Sequence, residues 1–127
     1  MRKLSKSALA SLLLALSSGF VHAKDADKVY SDIQICKAVV AAAIKRGINR
    51  MNARETSRSV VVVYEINGNT YSKFCRVDGD TAEYSPLARS WKEVYLDILE
   101  DDYLETTEII DADVVIVRKF SPSSLLK

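Results

Sequence analysis

The sequence predicts a single α+β domain, in which one amino-terminal helix packs on an antiparallel meander sheet of four or five strands. Three observations predict it: a strongly apolar helical segment near residue 40, β-branched segments separated by Asn-Gly and Asp-Gly turns, and one cysteine in each kind of segment. Hydrophobic residues make up 48% of the chain and the formal net charge is +1, which excludes an intrinsically disordered protein.

The first 23 residues have the pattern of a secretory signal peptide. They begin with three positive residues, Arg2, Lys3 and Lys6, followed by an uncharged apolar run at 8–16. That run is about half of the ~20 apolar residues that a membrane-spanning helix needs. Val21-His22-Ala23 supplies a small-x-small cleavage site. We therefore expect cleavage after Ala23, export to the periplasm or the medium, and no transmembrane segment in the mature chain.

Removal of that segment leaves 104 of the 127 residues, with 15 Lys and Arg against 17 Asp and Glu. This length fits one domain, expected at residues 24–120 with a flexible tail at 121–127. The only histidine, His22, is removed as well. A domain without histidine has no Ser-His-Asp or Cys-His arrangement and no imidazole metal ligand. We therefore expect no catalytic residues, no metal and no cofactor.

Residues 31–46 are predicted to form the helix. Ser31-Asp32-Ile33-Gln34 has the pattern of a capping box, and Gly47 suits the cap at the carboxyl-terminal end. The segment 38–44 is apolar almost all round the helix. We therefore expect the helix to be covered on more than one side.

Strands and tight turns are predicted to follow a polar connection at residues 48–58. A β-branched segment at 60–66 forms the first strand, and Asn67-Gly68 predicts a hairpin with residues 71–77. Asp78-Gly79 then turns the chain into a short third strand.

This register places Cys75 on the same sheet face as Val60 and Val62, towards the helix that carries Cys36. Export brings the two cysteines into a compartment where disulfides persist. No Cys-x-x-Cys motif and no mature histidine accompany them, so a redox or nucleophilic cysteine and a zinc site fit less well. We expect a Cys36–Cys75 disulfide.

The carboxyl-terminal half is open to two interpretations. Residues 90–100 favour a short second helix, because Ser90-Trp91-Lys92-Glu93 has the capping-box pattern, but an alternating strand competes. A final hairpin is predicted about Asp111-Ala112, in a register that pairs Tyr103 with Phe120.

Nine acidic residues lie between positions 93 and 113 without an intervening Lys or Arg. One interpretation is a surface for a basic partner, with the candidate residues Asp97, Glu100, Asp101, Asp102 and Glu105. The alternatives are a calcium site, a carboxylate pair for hydrolysis, and a solvated face that keeps the protein soluble. The spacing of a calcium-binding loop is not present.

Four arginines spaced by four residues follow the predicted helix: Arg46, Arg50, Arg54 and Arg58. A helical arm would align them into one stripe, which would suit an anionic partner. Gly47 and two asparagines argue against a continuous helix, and the arm could equally lie against the acidic segment of the same molecule. Export argues against nucleic acid as a partner.

The chain resembles a family of small uncharacterised bacterial and phage-encoded proteins. The resemblance covers residues 32–84 and rests on Ile35-Cys36-Lys37-Ala38 in a helix, followed by a hairpin that carries Cys75-Arg76 and a turn at Gly79. It implies the same helix-on-hairpin order and the same cysteine pairing. It brings no activity, and the acidic segment after Tyr84 departs from the pattern.

We expect from these features an exported, non-catalytic protein that binds another macromolecule. A protein of the cell envelope is the expected partner, for example an enzyme towards which this chain acts as an inhibitor or immunity protein. A small-ligand or anion-binding periplasmic protein is the first alternative. A carboxylate-dependent hydrolase is the second.

Overall fold

The computed structural model of the protein describes residues 25–126, so the predicted signal peptide and its cleavage site lie outside the described residues. The helices of this part are α1 (Ala26–Val29), α2 (Asp32–Ile44) and α3 (Pro122–Leu125), and a 3₁₀ turn covers Ile48–Arg50. The strands are β1 (Asn52–Glu55), β2 (Val60–Ile66), β3 (Asn69–Asp78), β4 (Thr81–Ser85), β5 (Lys92–Ile98), β6 (Leu104–Asp111) and β7 (Val114–Phe120).

The seven strands form one antiparallel sheet in the order of the sequence, from β1 to β7. Helix α2 packs on one face of this sheet. The α+β class and the meander order are therefore confirmed, with seven strands where the sequence predicted four or five. One added strand is β1, which lies in the segment that was predicted as a polar connection.

Helix α2 begins at the predicted capping box. The Ser31 hydroxyl accepts a hydrogen bond from the Gln34 amide at 3.2 Å, and the Gln34 side chain accepts one from the Ser31 amide at 2.8 Å. The helix ends two residues earlier than predicted, because Lys45 adopts the left-handed conformation at φ 60° and the Arg46 amide bonds back to the Ala41 carbonyl. Gly47 is therefore not the cap.

The core lies between α2 and the sheet face that it covers. The buried residues of α2 point in all directions, as its apolar sequence predicted: they are Ile35, Cys36, Ala38, Val39, Val40, Ala41 and Ala42. The predicted disulfide is present, and it joins Cys36 to Cys75 in β3 with a Cα–Cα distance of 5.8 Å. Both cysteines are fully buried, so the bond fixes the helix to the sheet from inside the core.

The first hairpin has the predicted register, and the second keeps the predicted sheet faces but not the predicted pairing. Tyr64 lies opposite Tyr71, and Cys75 lies opposite both Val60 and Tyr84. The second turn lies at Gly79-Asp80 and not at Asp78-Gly79, which shifts the pairing of β3 with β4 by two residues. A shift of two residues leaves every side chain on its predicted face.

The second half departs from the prediction in two places. Residues 92–98 form strand β5 and not a helix, because Val94, Leu96 and Ile98 alternate and are all buried against the core. The last hairpin turns at Ala112-Asp113 with an irregularity between Ile109 and Asp111, so its register differs by one residue from the prediction. Leu104, and not Tyr103, lies opposite Phe120.

The sheet curves around α2. The helix contacts β1 and β7, which are the two edge strands of the sheet among residues 25–126. Helix α3 follows β7 and contacts both α2 and the 3₁₀ turn. The segment after residue 120, predicted as a flexible tail, thus contains a helix that Ser121 caps, and its Leu125 is only 2% exposed.

Candidate functional site

The face of the sheet that points away from α2, here called the outer face, carries two pairs of like charges. Glu83 in β4 lies directly opposite Glu93 in β5, and Asp97 in β5 lies directly opposite Glu105 in β6. Like charges at directly opposite positions of an antiparallel pair destabilise a sheet. Each pair includes one residue with a nearby cation, since Glu83 pairs with Arg76 and Glu105 lies opposite Lys119.

Four apolar or aromatic side chains lie on the same face, on the three strands next to the β7 edge. They are Tyr95, Ile109, Val115 and Val117, with exposed fractions of 38%, 53%, 51% and 51%. Ile109 lies opposite Val115, so these two form one apolar cross-strand pair. Together with the four acids described above, these residues make up what we call the acidic–apolar face. An exposed apolar surface bordered by polar groups is typical of a contact site for another molecule.

Arg76 is held at one end of this face. Its Nε donates to Oε1 of Glu83 at 3.0 Å, and its guanidinium lies 3.8 Å from the centre of the Trp91 ring. The carboxylate and the aromatic ring both favour the cation at this position. Glu83 is therefore partly neutralised, whereas Glu93 across the strand adds a negative charge at an exposed position.

The predicted acidic residues at 100–102 lie in the turn between β5 and β6, next to Asp97 and Glu105. Asp102 has a left-handed backbone at φ 65°, and its carbonyl oxygen accepts a hydrogen bond of 2.6 Å from the Tyr30 hydroxyl. Burial raises the pKa of Tyr30, and the nearby negative charge of Asp102 raises it further. This turn therefore places all five predicted acids at one end of the acidic–apolar face.

The four predicted arginines do not form a stripe. Arg46 follows α2, Arg50 ends the 3₁₀ turn, Arg54 lies in edge strand β1, and Arg58 lies in the turn before β2. Residues 46–58 contain a 3₁₀ turn, a strand and a turn. A spacing of four residues therefore does not place these arginines on one side of a helix. Of the four arginines, only Arg54 lies in the sheet. Residues 46–58 are therefore not the continuous helix that would have aligned these arginines, and anion binding by them stays a prediction.

A groove of about 580 Å³ is lined by two carboxylates, Glu93 of the acidic–apolar face and Glu108, together with Lys92. The Tyr84 hydroxyl donates to the Glu108 carboxylate, at 2.8 Å from each oxygen. Burial raises the pKa of Tyr84, and the hydrogen bond to Glu108 raises it further. This hydrogen bond links Glu108 in β6 to Tyr84 in β4.

Neither a metal centre nor a membrane span is found in residues 25–126. No three His, Cys, Asp or Glu side chains of this part are grouped so that they could hold a metal ion. No helix of this part is long and apolar enough to cross a bilayer.

The residues that the sequence did not single out are the apolar members of the acidic–apolar face. The alternation of inward and outward side chains along β5, β6 and β7 places them on the outer face. It predicts this only when β5 is known to be a strand and the register of the last hairpin is known. The resemblance of residues 32–84 to small bacterial and phage-encoded proteins stays a prediction. Comparison of the chain with protein-family models, with curated proteins and with solved structures found no match.

Proposed function

We propose that this chain is an exported, non-catalytic protein that binds a protein of the cell envelope through its acidic–apolar face. The role that we favour is that of an inhibitor or immunity protein, which covers a basic surface of its partner. The observation that carries the proposal is that acidic residues occupy directly opposite strand positions twice on this face, Glu83 with Glu93 and Asp97 with Glu105.

Two carboxylates at directly opposite strand positions repel, so this placement is unfavourable for the free protein. A basic partner would replace the repulsion by attraction across the interface. Complementary charge also speeds association and selects among partners. The arrangement therefore makes sense for a surface that is adapted to a complex and not to the isolated chain.

The exposed apolar residues supply the second requirement of a protein interface. The exposed apolar residues lie at the centre and at the β7 edge of the face: Tyr95, Ile109, Val115 and Val117. Asp97 and Glu105 lie on one side of Tyr95, and Glu93 and Glu83 lie on the other. Interfaces commonly combine a less charged centre with a polar rim. An extended basic segment with apolar residues, or the rim of a basic cleft, matches this distribution.

Export supports the choice of an envelope partner. The Cys36–Cys75 disulfide suits an oxidising compartment, and the first 23 residues have the pattern of a signal peptide. The absence of histidine from residues 24–127 supports a non-catalytic role.

Affinity capture from envelope extract, followed by titration of the purified partner, tests the proposal. The variant Asp97→Asn/Glu105→Gln removes one like-charge pair, and Glu65→Gln/Asp80→Asn removes the same number of charges at exposed positions elsewhere. We expect the first variant to lower affinity at least 10-fold and the second to change it less than 2-fold. Rising salt should weaken the wild-type complex.

A second variant tests the apolar part of the face. Val115→Thr/Val117→Thr keeps β-branched side chains in β7 while it makes both positions polar. We expect a further loss of affinity with unchanged circular dichroism. Capture of no partner, or equal binding by wild type and both face variants, would contradict the proposed function.

A further inference from the structure

A second groove, of about 730 Å³, lies where the two edges of the curved sheet approach each other. One wall begins with Asn52, the first residue of β1, and the opposite wall contains Lys119 and Phe120 at the end of β7. Helix α2 and the 3₁₀ turn lie between these walls, and they contribute Lys37 and Ile48. The volume lies within the usual range of a small-molecule site.

The side chains that line this groove carry positive charge only. Lys37, Arg118 and Lys119 are its charged residues, and neither Asp nor Glu is among its lining residues. The chain as a whole is nearly neutral, with 18 basic and 17 acidic residues, so this one-sided charge is a local property of the groove. A groove whose side chains carry charge of one sign attracts and concentrates ligands of the opposite charge.

Arg118 is already fixed in place. Its Nη1 donates to the carbonyl oxygens of Ala41 at 3.1 Å and of Arg46 at 2.7 Å, and its guanidinium lies 4.8 Å from the centre of the Phe120 ring. These bonds use one nitrogen, whereas a guanidinium carries five N–H groups in all. A cation that is held before binding loses little conformational freedom when an anion arrives.

The walls of the groove also offer apolar contact. Ile48, Met51 and Phe120 line it and belong to the buried core, with exposed fractions of 8%, 4% and 4%. A ligand with a small apolar part can rest on this rigid surface while its charged group meets the cations.

We propose that this groove binds a small organic anion, with a carboxylate or phosphate group facing Lys37, Arg118 and Lys119 and an apolar part against Met51 and Phe120. None of the residues of the acidic–apolar face lines this groove, although Lys119 lies opposite Glu105, so the inference does not depend on the proposed function.

Isothermal titration of protein expressed from the full chain tests this site with four probes: octanoate, octyl phosphate, octylammonium and inorganic phosphate. We expect 1:1 binding of octanoate or octyl phosphate, whichever head group the site prefers. Octylammonium should not bind, and inorganic phosphate should bind at least 10-fold more weakly than the better organic anion. Salt should weaken binding, because the attraction is electrostatic.

Variants then locate the binding. Lys37→Gln and Lys119→Gln should each lower the affinity for the organic anion by 5-fold or more, while Lys28→Gln and Lys45→Gln, at exposed positions outside the groove, should leave it unchanged. Arg118 is avoided because it also supports the end of α2. The variant Glu83→Gln/Glu93→Gln, which neutralises the like-charge pair that has no groove residue opposite it, should bind the anion like wild type.

Three results would overturn the assignment: no binding of either organic anion at millimolar concentration, binding of octylammonium as tight as that of the anions, or unchanged affinity in both lysine variants. Equal affinity for inorganic phosphate and octyl phosphate would also overturn it, since the ion alone would then account for the binding.

Discussion

The guanidinium of Arg118, in the last strand, donates a hydrogen bond of 2.7 Å to the carbonyl oxygen of Arg46, just beyond the first long helix. The same nitrogen also reaches the Ala41 carbonyl. The Ala41 carbonyl already accepts the Arg46 amide, so Arg118 adds a second donor there, and a cation at this end of a helix interacts favourably with the helix dipole. Arg118 thus connects edge strand β7 to the end of α2.

Replacement of Arg118 by Met should destabilise the protein by about 1.5–3 kcal/mol, the usual contribution of a hydrogen bond to a charged group. Met keeps most of the apolar stem and removes the donors. Urea denaturation followed by circular dichroism measures the change. Arg118→Lys should recover part of the loss, and a Met variant as stable as wild type would contradict the role of the contact.

Loss of the Cys36–Cys75 bond should cost about 4 kcal/mol, because it closes a loop with a sequence separation of 39. The double variant Cys36→Ala/Cys75→Ala keeps small side chains at two fully buried positions. Urea unfolding of the variant, beside wild type with and without reductant, gives the value. A loss below 1 kcal/mol would show that the disulfide is not a main source of stability.

Glu93→Gln should raise the free energy of unfolding by about 0.2–1 kcal/mol at low salt, because it removes the repulsion from Glu83 across the strand. The gain should shrink as salt is added. Glu65→Gln, at an exposed position on β2, serves as the control. Thermal unfolding at two ionic strengths measures the change in stability. A Glu93→Gln protein that is less stable than wild type would contradict repulsion between Glu83 and Glu93.

The stability of the protein should fall as the pH rises through about 10, the ordinary pKa of a tyrosine. Burial and the bond to Glu108 keep Tyr84 protonated in the folded state, whereas the unfolded chain loses this proton first. The folded state then binds more protons than the unfolded state, so the free energy of unfolding decreases with pH.

Tyr84→Phe should make that pH dependence shallower, and it should lose about 1 kcal/mol at pH 7 through the missing hydrogen bond to Glu108. Denaturation curves at about pH 7 and about pH 10.5 measure both effects. Tyr71→Phe, at a position that is 45% exposed, is the matched control. Parallel curves for wild type and Tyr84→Phe would contradict the assignment.

The parts of the fold that the sequence predicts well are those set by local chemistry. The capping box at Ser31 and Gln34 determines where α2 begins, and the Asn67-Gly68 turn determines which residues of β2 and β3 face each other. The second turn lies one residue beyond the predicted Asp78-Gly79 and still keeps the predicted faces. From these the position of Cys75 follows, and with it the disulfide.

The parts that it does not predict depend on tertiary contacts. Lys92–Ile98 satisfies both a helical and an alternating pattern, and only the neighbouring strands β4 and β6 favour the alternating one. Asn52–Glu55 is a short charged edge strand without an apolar pattern. An irregularity near Ile110 shifts the last hairpin by one residue, which moves every side chain of β7 to the other face.

The same limit applies to the candidate site. The acidic residues at 97–105 are close in sequence, so their grouping could be predicted. The exposed apolar residues and the cationic groove join strands and edges that are far apart along the chain, and no short-range pattern contains them.

In the meander, every strand pairs only with its neighbours in sequence, whereas α2 needs both the first and the last strand to cover it. A chain that is threaded through a membrane from its amino terminus would deliver this apolar helix first and the residue that secures its end, Arg118, almost last. Folding would then finish only after translocation is nearly complete. Until that point the apolar helix would have to be protected, either by a chaperone or by early formation of the Cys36–Cys75 disulfide.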